Sequence, residues 1–279
     1  MTDWTTIVVV VDETEVDLVA GLVWELGVSG IEEHAHADGA VELRIGCETM
    51  CASGVVEVLA GRWSPIAESV AADAGLDAWR EHAQVWRAGS NIIVPPWLEV
   101  PDDLLENDLV LMIDPGHAFG SASHETTRMC LEVVSDRVRP GMSIADIGCG
   151  SGVLSIAAAR RGAAHVVATD ISPEAIIATI DNARRNDVAD VIEVSSAGPE
   201  ELRRSSFDLV FANIGAATLT AMADQLIALM TTSGVVVLSG LLDAQTHAVI
   251  AEFENAGAAA IETRAGGEWR TVLMSRASQ

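Results

Sequence analysis

The segment Ala145 to Ser172, ADIGCGSGVLSIAAARRGAAHVVATDIS, constrains the fold of this chain more than any other stretch. Ile144 to Ile147 is a short apolar run, and Gly148, Gly150 and Gly152 follow it as a turn. Val153 to Arg161 then has apolar residues at helical spacing, and Val166 to Ala168 reads as a second strand. The whole is one βαβ unit. Glycine suits its turn because the backbone must bend sharply and admit a ligand without Cβ atoms, while N–H groups at the helix start face an anionic group. Asp170 stands 22 residues past Gly148, at the carboxyl end of the second strand, where a carboxylate can accept both hydroxyls of a ribose.

The spacing of the glycines separates the nucleotide cofactors. A nicotinamide fingerprint, GxGxxG, would need glycine at Val153, whereas GxGxG fits S-adenosyl-L-methionine. A phosphate loop of the Walker kind needs a lysine after its glycines, and this chain contains no lysine at all. The glycines alone are also compatible with a purely structural turn in an α/β domain, and Asp170 in its place argues against that.

With 279 residues, 49% of them apolar, the chain can fill one large core or two smaller ones, and two domains are expected. Its formal net charge of −25 disfavours direct contact with nucleic acid and suits a basic protein partner, although solubility alone could account for it. The four cysteines, Cys47, Cys51, Cys130 and Cys149, are too few and scattered for a disulfide framework. Cys47 and Cys51 lack companion ligands and read as core thiols, so no metal is expected. With no secretory leader and no long apolar run, the expected location is cytoplasmic, with no membrane partner.

Along the chain, Thr6 to Val11 reads as a strand, Glu13 to Leu26 as a helix, and Gly30 to His36 and Val41 to Ile45 as strands joined near Asp38-Gly39. A helix near Ala52 to Leu59 and a last strand near Ile66 complete a split βαβ sandwich, predicted as an α+β domain over residues 1–75. Residues 76–103, with Trp79, Trp86, Pro95, Pro96, Trp97 and Pro101, read as an ordered linker. From about Leu104, strands and helices alternate to the end of the chain. Strands are predicted at Leu109 to Ile113, Val191 to Val194, Phe207 to Ala212, Val235 to Leu238 and Thr271 to Met274. Helices are predicted from Glu125, at Pro173 to Asn186, at Ala221 to Met230 and at His247 to Ala256. This predicts an α/β, Rossmann-like domain over residues 104–279, with a mostly parallel sheet and its ligand at the carboxyl ends of the strands.

Three constellations should meet at that edge: the glycine turn with Asp170, the loop Asp114 to Thr127 (DPGHAFGSASHETT), and the strand end Ala212 to Gly215 (ANIG). The loop carries Phe119, which could fold over a cofactor, and Thr126 or Thr127 at a helix start. With His124, Glu125 and the two threonines as plausible caps, it is equally readable as a capped helix preceded by a turn, and His124-Glu125 has no metal-site spacing. Asn213, where a strand leaves the sheet, can accept a hydrogen bond from an amine, or it can be a turn residue satisfying local backbone.

Together, DPGHAFGSASHETT, DIGCGSG, Asp170 and FANIG resemble the PrmA family, bacterial methyltransferases of large-subunit ribosomal protein eleven, in order and spacing from Trp79 to Leu242. The resemblance implies a class I S-adenosyl-L-methionine-dependent methyltransferase fold with an N-terminal ferredoxin-like domain for substrate recognition. It implies cofactor contacts at Thr127, Gly148, Asp170 and Asn213, to which the glycine turn itself adds Gly150 and the loop adds Phe119. It implies substrate positioning by Asn213 and the backbone carbonyl of Ile214, with that ribosomal protein's lysine ε-amines and N-terminal α-amine as acceptors. This chain departs from the family pattern in GSASHETT, where the family usually has GTGTHPTT, and in Gly215, where the family's NIL has leucine. Two other readings remain at this level: a methyltransferase of another protein or small amine, and a silent adenosyl-binding module.

Overall fold

The structure, a computed structural model, describes residues 4–24, 26–28, 30–36, 40–69, 83–114, 120 and 122–277. It contains two units, Met1–Ala83 and Gln84–Gln279.

In the first unit, strand β1 (Trp4–Asp12) leads through a short 3-10 turn, capped by Asp12, into the helix Val16–Trp24. Strands β2 (Gly30–Ala35) and β3 (Ala40–Glu48), the helix Thr49–Ala60 and strand β4 (Ile66–Ser69) follow. The sheet is antiparallel in the order β2-β3-β1-β4. Although β1 is apolar almost throughout, strand alternation buries Ile7, Val9 and Val11 and leaves Val10 exposed. The helices add Val19, Val23, Val55 and Leu59 to one core, which includes Cys47, with Cys51 packed at its margin. The element order is the one read from the sequence; the expected turn at Asp38-Gly39 lies outside the described residues.

The second unit opens with strands β5 (Trp86–Ala88), β6 (Asn91–Val94) and β7 (Leu109–Met112), which form a separate three-stranded sheet. Residues 84–94, read from sequence as linker, are therefore structured as part of this unit, because Trp86 pairs with Ile93 and Asn91 with Leu109. β7 was expected in the main alternation and instead joins this small sheet. The main sheet comprises β8 (Ser143–Ile147), β9 (His165–Thr169), β10 (Ile192–Ser195), β11 (Phe207–Asn213), β12 (Met230–Leu242), β13 (Ala258–Gly266) and β14 (Trp269–Arg276). Its order is β10-β9-β8-β11-β12-β14-β13, parallel through β12 and antiparallel at β14 and β13. Strand β13 had no prediction, since its solvent-facing pattern gives little apolar signal. The predicted helix Ala221 to Met230 is two helices, Ala216–Ala221 and Ala223–Leu229, meeting at Met222. Strand order reverses between β8 and β11, the position where open α/β sheets bind ligands.

Candidate active site

The glycine turn leaves β8 with positive φ at Gly148 (76°), Gly150 (55°) and Gly152 (78°). The N–H groups of Gly148 and Cys149 donate to the carbonyl of Thr169 at 2.8 and 3.0 Å, which ties the turn to the end of β9. Asp170 follows, and its carboxylate accepts from Gly150 N at 2.9 Å and Ser172 N at 2.9 Å. Ser172 caps the helix Pro173–Arg185, with Pro173 in its first turn. Gly152 is the N-cap of the helix Val153–Arg160 and has no side chain to cap with. Asp146 on β8 takes that part: its Oδ2 accepts from Ser155 N at 3.2 Å and Ser155 Oγ at 2.6 Å. Burial pushes the Asp146 carboxyl up to about 6, partly opposed by those bonds from Ser155. By helix geometry, the N–H groups of Val153 and Leu154 have no carbonyl within the helix.

The strand end Asn213-Ile214 meets the turn directly. A Cβ added at Gly148 would lie 2.5 Å from Ile214 Cγ2, so only glycine admits this approach. Asn213 pairs in register with Ser239 of β12. Ser239 shares a 2.7 Å hydrogen bond with Thr271 and donates to the carbonyl of Thr126 at 3.4 Å, which brings the start of the helix Glu125–Arg137 beside the same strand ends. Of the capping candidates, His124 is the one that caps this helix: its Nδ1 lies 2.8 Å from the Thr126 hydroxyl and its ring meets Trp269 edge-on at 4.7 Å. The Thr127 hydroxyl is buried and has no hydrogen-bond partner among the described residues. Glu125 pairs with Arg128 in the first helical turn, where a carboxylate is favoured by the helix dipole.

The loop from Asp114 is tied to the glycine turn at Gly120 and, through Asn182, at Asp114. Ser151 Oγ donates to the carbonyl of Gly120 at 2.7 Å. The buried Asn182 amide donates to the carbonyls of Asp114 (2.8 Å) and Ser151 (3.0 Å) and accepts from Asp114 N (2.9 Å). Phe119 lies outside the described residues.

A sequence model described as ribosomal protein L11 methyltransferase (PrmA) matches residues 66–277. The chain belongs to the PrmA family. The ribosomal protein L11 methyltransferase of Pelotomaculum thermopropionicum is 36% identical over 245 residues, covering 87% of this chain and 78% of that protein. Its counterpart from Pelobacter propionicus is 38% identical over 222 residues, 77% of this chain and 71% of the relative. Among solved structures, the ribosomal protein L11 methylase of Lactobacillus delbrueckii subsp. bulgaricus superposes with a TM-score of 0.65 at 29% identity, covering 70% of this chain and all of that one. The second unit thus has the class I methyltransferase fold of PrmA proteins, and the enzyme is an S-adenosyl-L-methionine-dependent methyltransferase.

The residues present fit that cofactor. Asp170 retains lone pairs for ribose hydroxyls beyond its two backbone bonds. Ile171 beside it is 95% exposed, a bare apolar side chain suited to a flat base. The orphaned Thr127 hydroxyl and the free first-turn N–H groups offer polar partners to the amino-acid portion. Sequence reading missed Ser151, Asn182 and Ser239, whose hydrogen bonds tie the loop, the glycine turn and the helix start together; Ser151 lies within the glycine motif but was read only as spacing, and Asn182 and Ser239 sit on a helix and a strand with no local motif.

Proposed function

We propose that the chain transfers methyl groups from S-adenosyl-L-methionine to amines of ribosomal protein L11, its lysine ε-amino groups and N-terminal α-amino group. The observation that carries this reading is the meeting of Gly148, Asp170 and the Asn213-Ile214 strand end at the switch in strand order. Thr127, Gly148, Gly150 and Asp170 hold the cofactor, with Asn213 at its edge and Phe119 covering it. Residues 1–75 form the ferredoxin-like substrate-recognition domain, and the reaction takes place in the cytoplasm without direct contact to nucleic acid.

Bound there, the cofactor supplies an electrophilic methyl group on a sulfonium sulfur, which departs as a thioether with the electron pair of the broken bond. The protein contributes position. A lysine amine of pKa ~10.4 is neutral near pH 7 in roughly one molecule in a few thousand, so the site must select that form. A neutral primary amine has two N–H donors and one lone pair. The Asn213 side-chain oxygen and the Ile214 carbonyl are two acceptors, and satisfying both N–H groups leaves the lone pair to point at the methyl carbon. No side chain among the described residues is hydrogen-bonded to either oxygen, and released protons pass to water.

Asn213→Ala should lower kcat on the order of 10²-fold while cofactor affinity changes far less; unchanged turnover removes this role. The decisive experiment incubates the protein with radiolabelled S-adenosyl-L-methionine and ribosomal protein L11 of the same organism, with Asp170→Ala alongside. Since the chain contains no lysine, label recovered as methyl-lysine comes from the substrate alone. Label that disappears in the variant supports the reading. Its absence despite cofactor binding redirects the search to other amines or to a silent module.

A further inference from the structure

We propose that Gly240 is a positioning residue for methyl transfer: its bare Cα, on a bulge of β12, sets the place and direction of the Ile214 carbonyl that receives the amine. The inference rests on the reading of that carbonyl as an amine acceptor and adds what holds it.

Ile214 lies between two glycines that act on different parts of it. Its side chain faces Gly148, where an added Cβ would come within 2.5 Å of Cγ2. Its backbone faces Gly240, where an added Cβ would lie 2.7 Å from the carbonyl oxygen, 3.1 Å from the carbonyl carbon and 3.3 Å from the nitrogen. Contact on that side is with the peptide unit itself, which has no flexible end to swing aside. Gly240 can sit there because β12 changes course at this point. Pairing with β11 ends at Asn213↔Ser239, and the register against β14 shifts between Leu238 and Leu241. The shift is a bulge, with Gly240 at φ 81°, a conformation that side chains rarely adopt. Bulges of this kind re-aim groups beside active sites. No hydrogen bond from the described residues reaches the Ile214 carbonyl, so contact with Gly240 takes the place of a donor in fixing it. The carbonyl's lone pairs therefore stay available for an incoming N–H.

Two substitutions at this position separate contact from backbone strain. Gly240→Ala adds the Cβ and strains φ, whereas in Gly240→Asn the side chain tolerates positive φ, so the variant carries mainly the contact. Gly257→Ala is the control: Gly257 has a similar φ of 92°, and nothing lies within 4 Å of an added Cβ. The variants are compared in the full-length protein for kcat and KM with ribosomal protein L11, and for the affinity of S-adenosylhomocysteine by calorimetry. Each Gly240 variant should lose about 10- to 100-fold in kcat, the loss expected for a misplacement near 1 Å, with the product's dissociation constant within about twofold. Gly257→Ala should keep its kcat. Crystal structures of the Gly240 variants should show the Ile214 carbonyl displaced, a readout that needs no substrate. An unmoved carbonyl, or an unchanged kcat in the variants while Asn213→Ala loses turnover, overturns the role of Gly240. If Asn213→Ala is also silent, the amine-binding reading of the strand end fails with it. An equal loss of product affinity in the Gly240 variants would mean a collapsed site and would likewise overturn the proposal.

Discussion

Asp146 meets two opposed demands: the helix after Gly152 needs a carboxylate to cap it, and the fully buried position resists charge. The native carboxyl, pushed up to about 6 from an ordinary 3.8, binds its proton more tightly than the unfolded chain does. Its contribution is therefore fully present below pH ~3.8 and is lost as pH rises through about 6, a loss on the order of 3 kcal/mol. In Asp146→Asn that dependence disappears. Denaturant unfolding at about pH 4 and about pH 7 should show the variant gaining on the wild type by a few kcal/mol between the two, whatever their constant offset; parallel curves would refute the assignment. At this scale the sequence was legible where the candidate site sits in a local motif. Gly148, Gly150 and Asp170 declare themselves by spacing, and Asn213 by ending a strand. Gly240 did not, because its role depends on a bulge and on approach to a residue 26 positions away in the chain. At the helix start the sequence offered His124, Glu125 and two threonines as caps without separating them: His124 caps, and the Thr127 hydroxyl has no partner among the described residues.

Strand β7 shows how an element can depend on a helix for its edge. Its neighbour on one side is β6, and on the other the asparagines of the helix Pro173–Arg185 and its C-cap supply the missing ladder. Asn186 accepts from Met112 N at 2.9 Å and donates to Met112 O at 2.8 Å, as Asn182 does for Asp114. Both are buried, so removing either strands backbone groups at about 1–3 kcal/mol each. Asn182→Ala and Asn186→Ala should each lower unfolding free energy by about 2–3 kcal/mol. Only Asn182 also holds Ser151 and the loop from Asp114, so only its loss should weaken cofactor binding, which calorimetric titration reads directly. Equal effects on affinity would count against this division. No periodicity reveals such a side-chain ladder, which is why β7 was assigned to the main sheet. The other elements were legible to the extent that apolar runs marked them: β8, β9 and β11 are buried over most of their length and read as largely apolar strands, whereas β13 at the sheet edge does not.

Over the whole molecule, the first unit is organised around one core drawing on residues from Ile7 to Leu59, and the second around two, one drawing on residues from Ala88 to Leu273 and the other on residues from Ala145 to Met274. The chain as a whole carries a strong net charge of −25, with arginine as its only strong cation. Composition made this legible from the start, but not what the charge is for. A charge of this size acts at long range and therefore on encounter with a partner, while the chemistry depends on contacts of a few ångström at the strand ends. The two effects separate under salt. Raising ionic strength from ~0.1 M to ~1 M shortens the screening length from about 10 to about 3 Å, which removes steering but leaves close contacts within the site largely intact. With a basic protein substrate, KM should rise severalfold across that range while kcat stays nearly constant, as steady-state methylation measurements would register. A small primary amine offered to the same enzyme should show no such rise. If KM for the protein substrate stays flat, the acidic surface serves solubility and not recognition; if kcat falls with it, salt is acting on the site or the fold instead of the encounter.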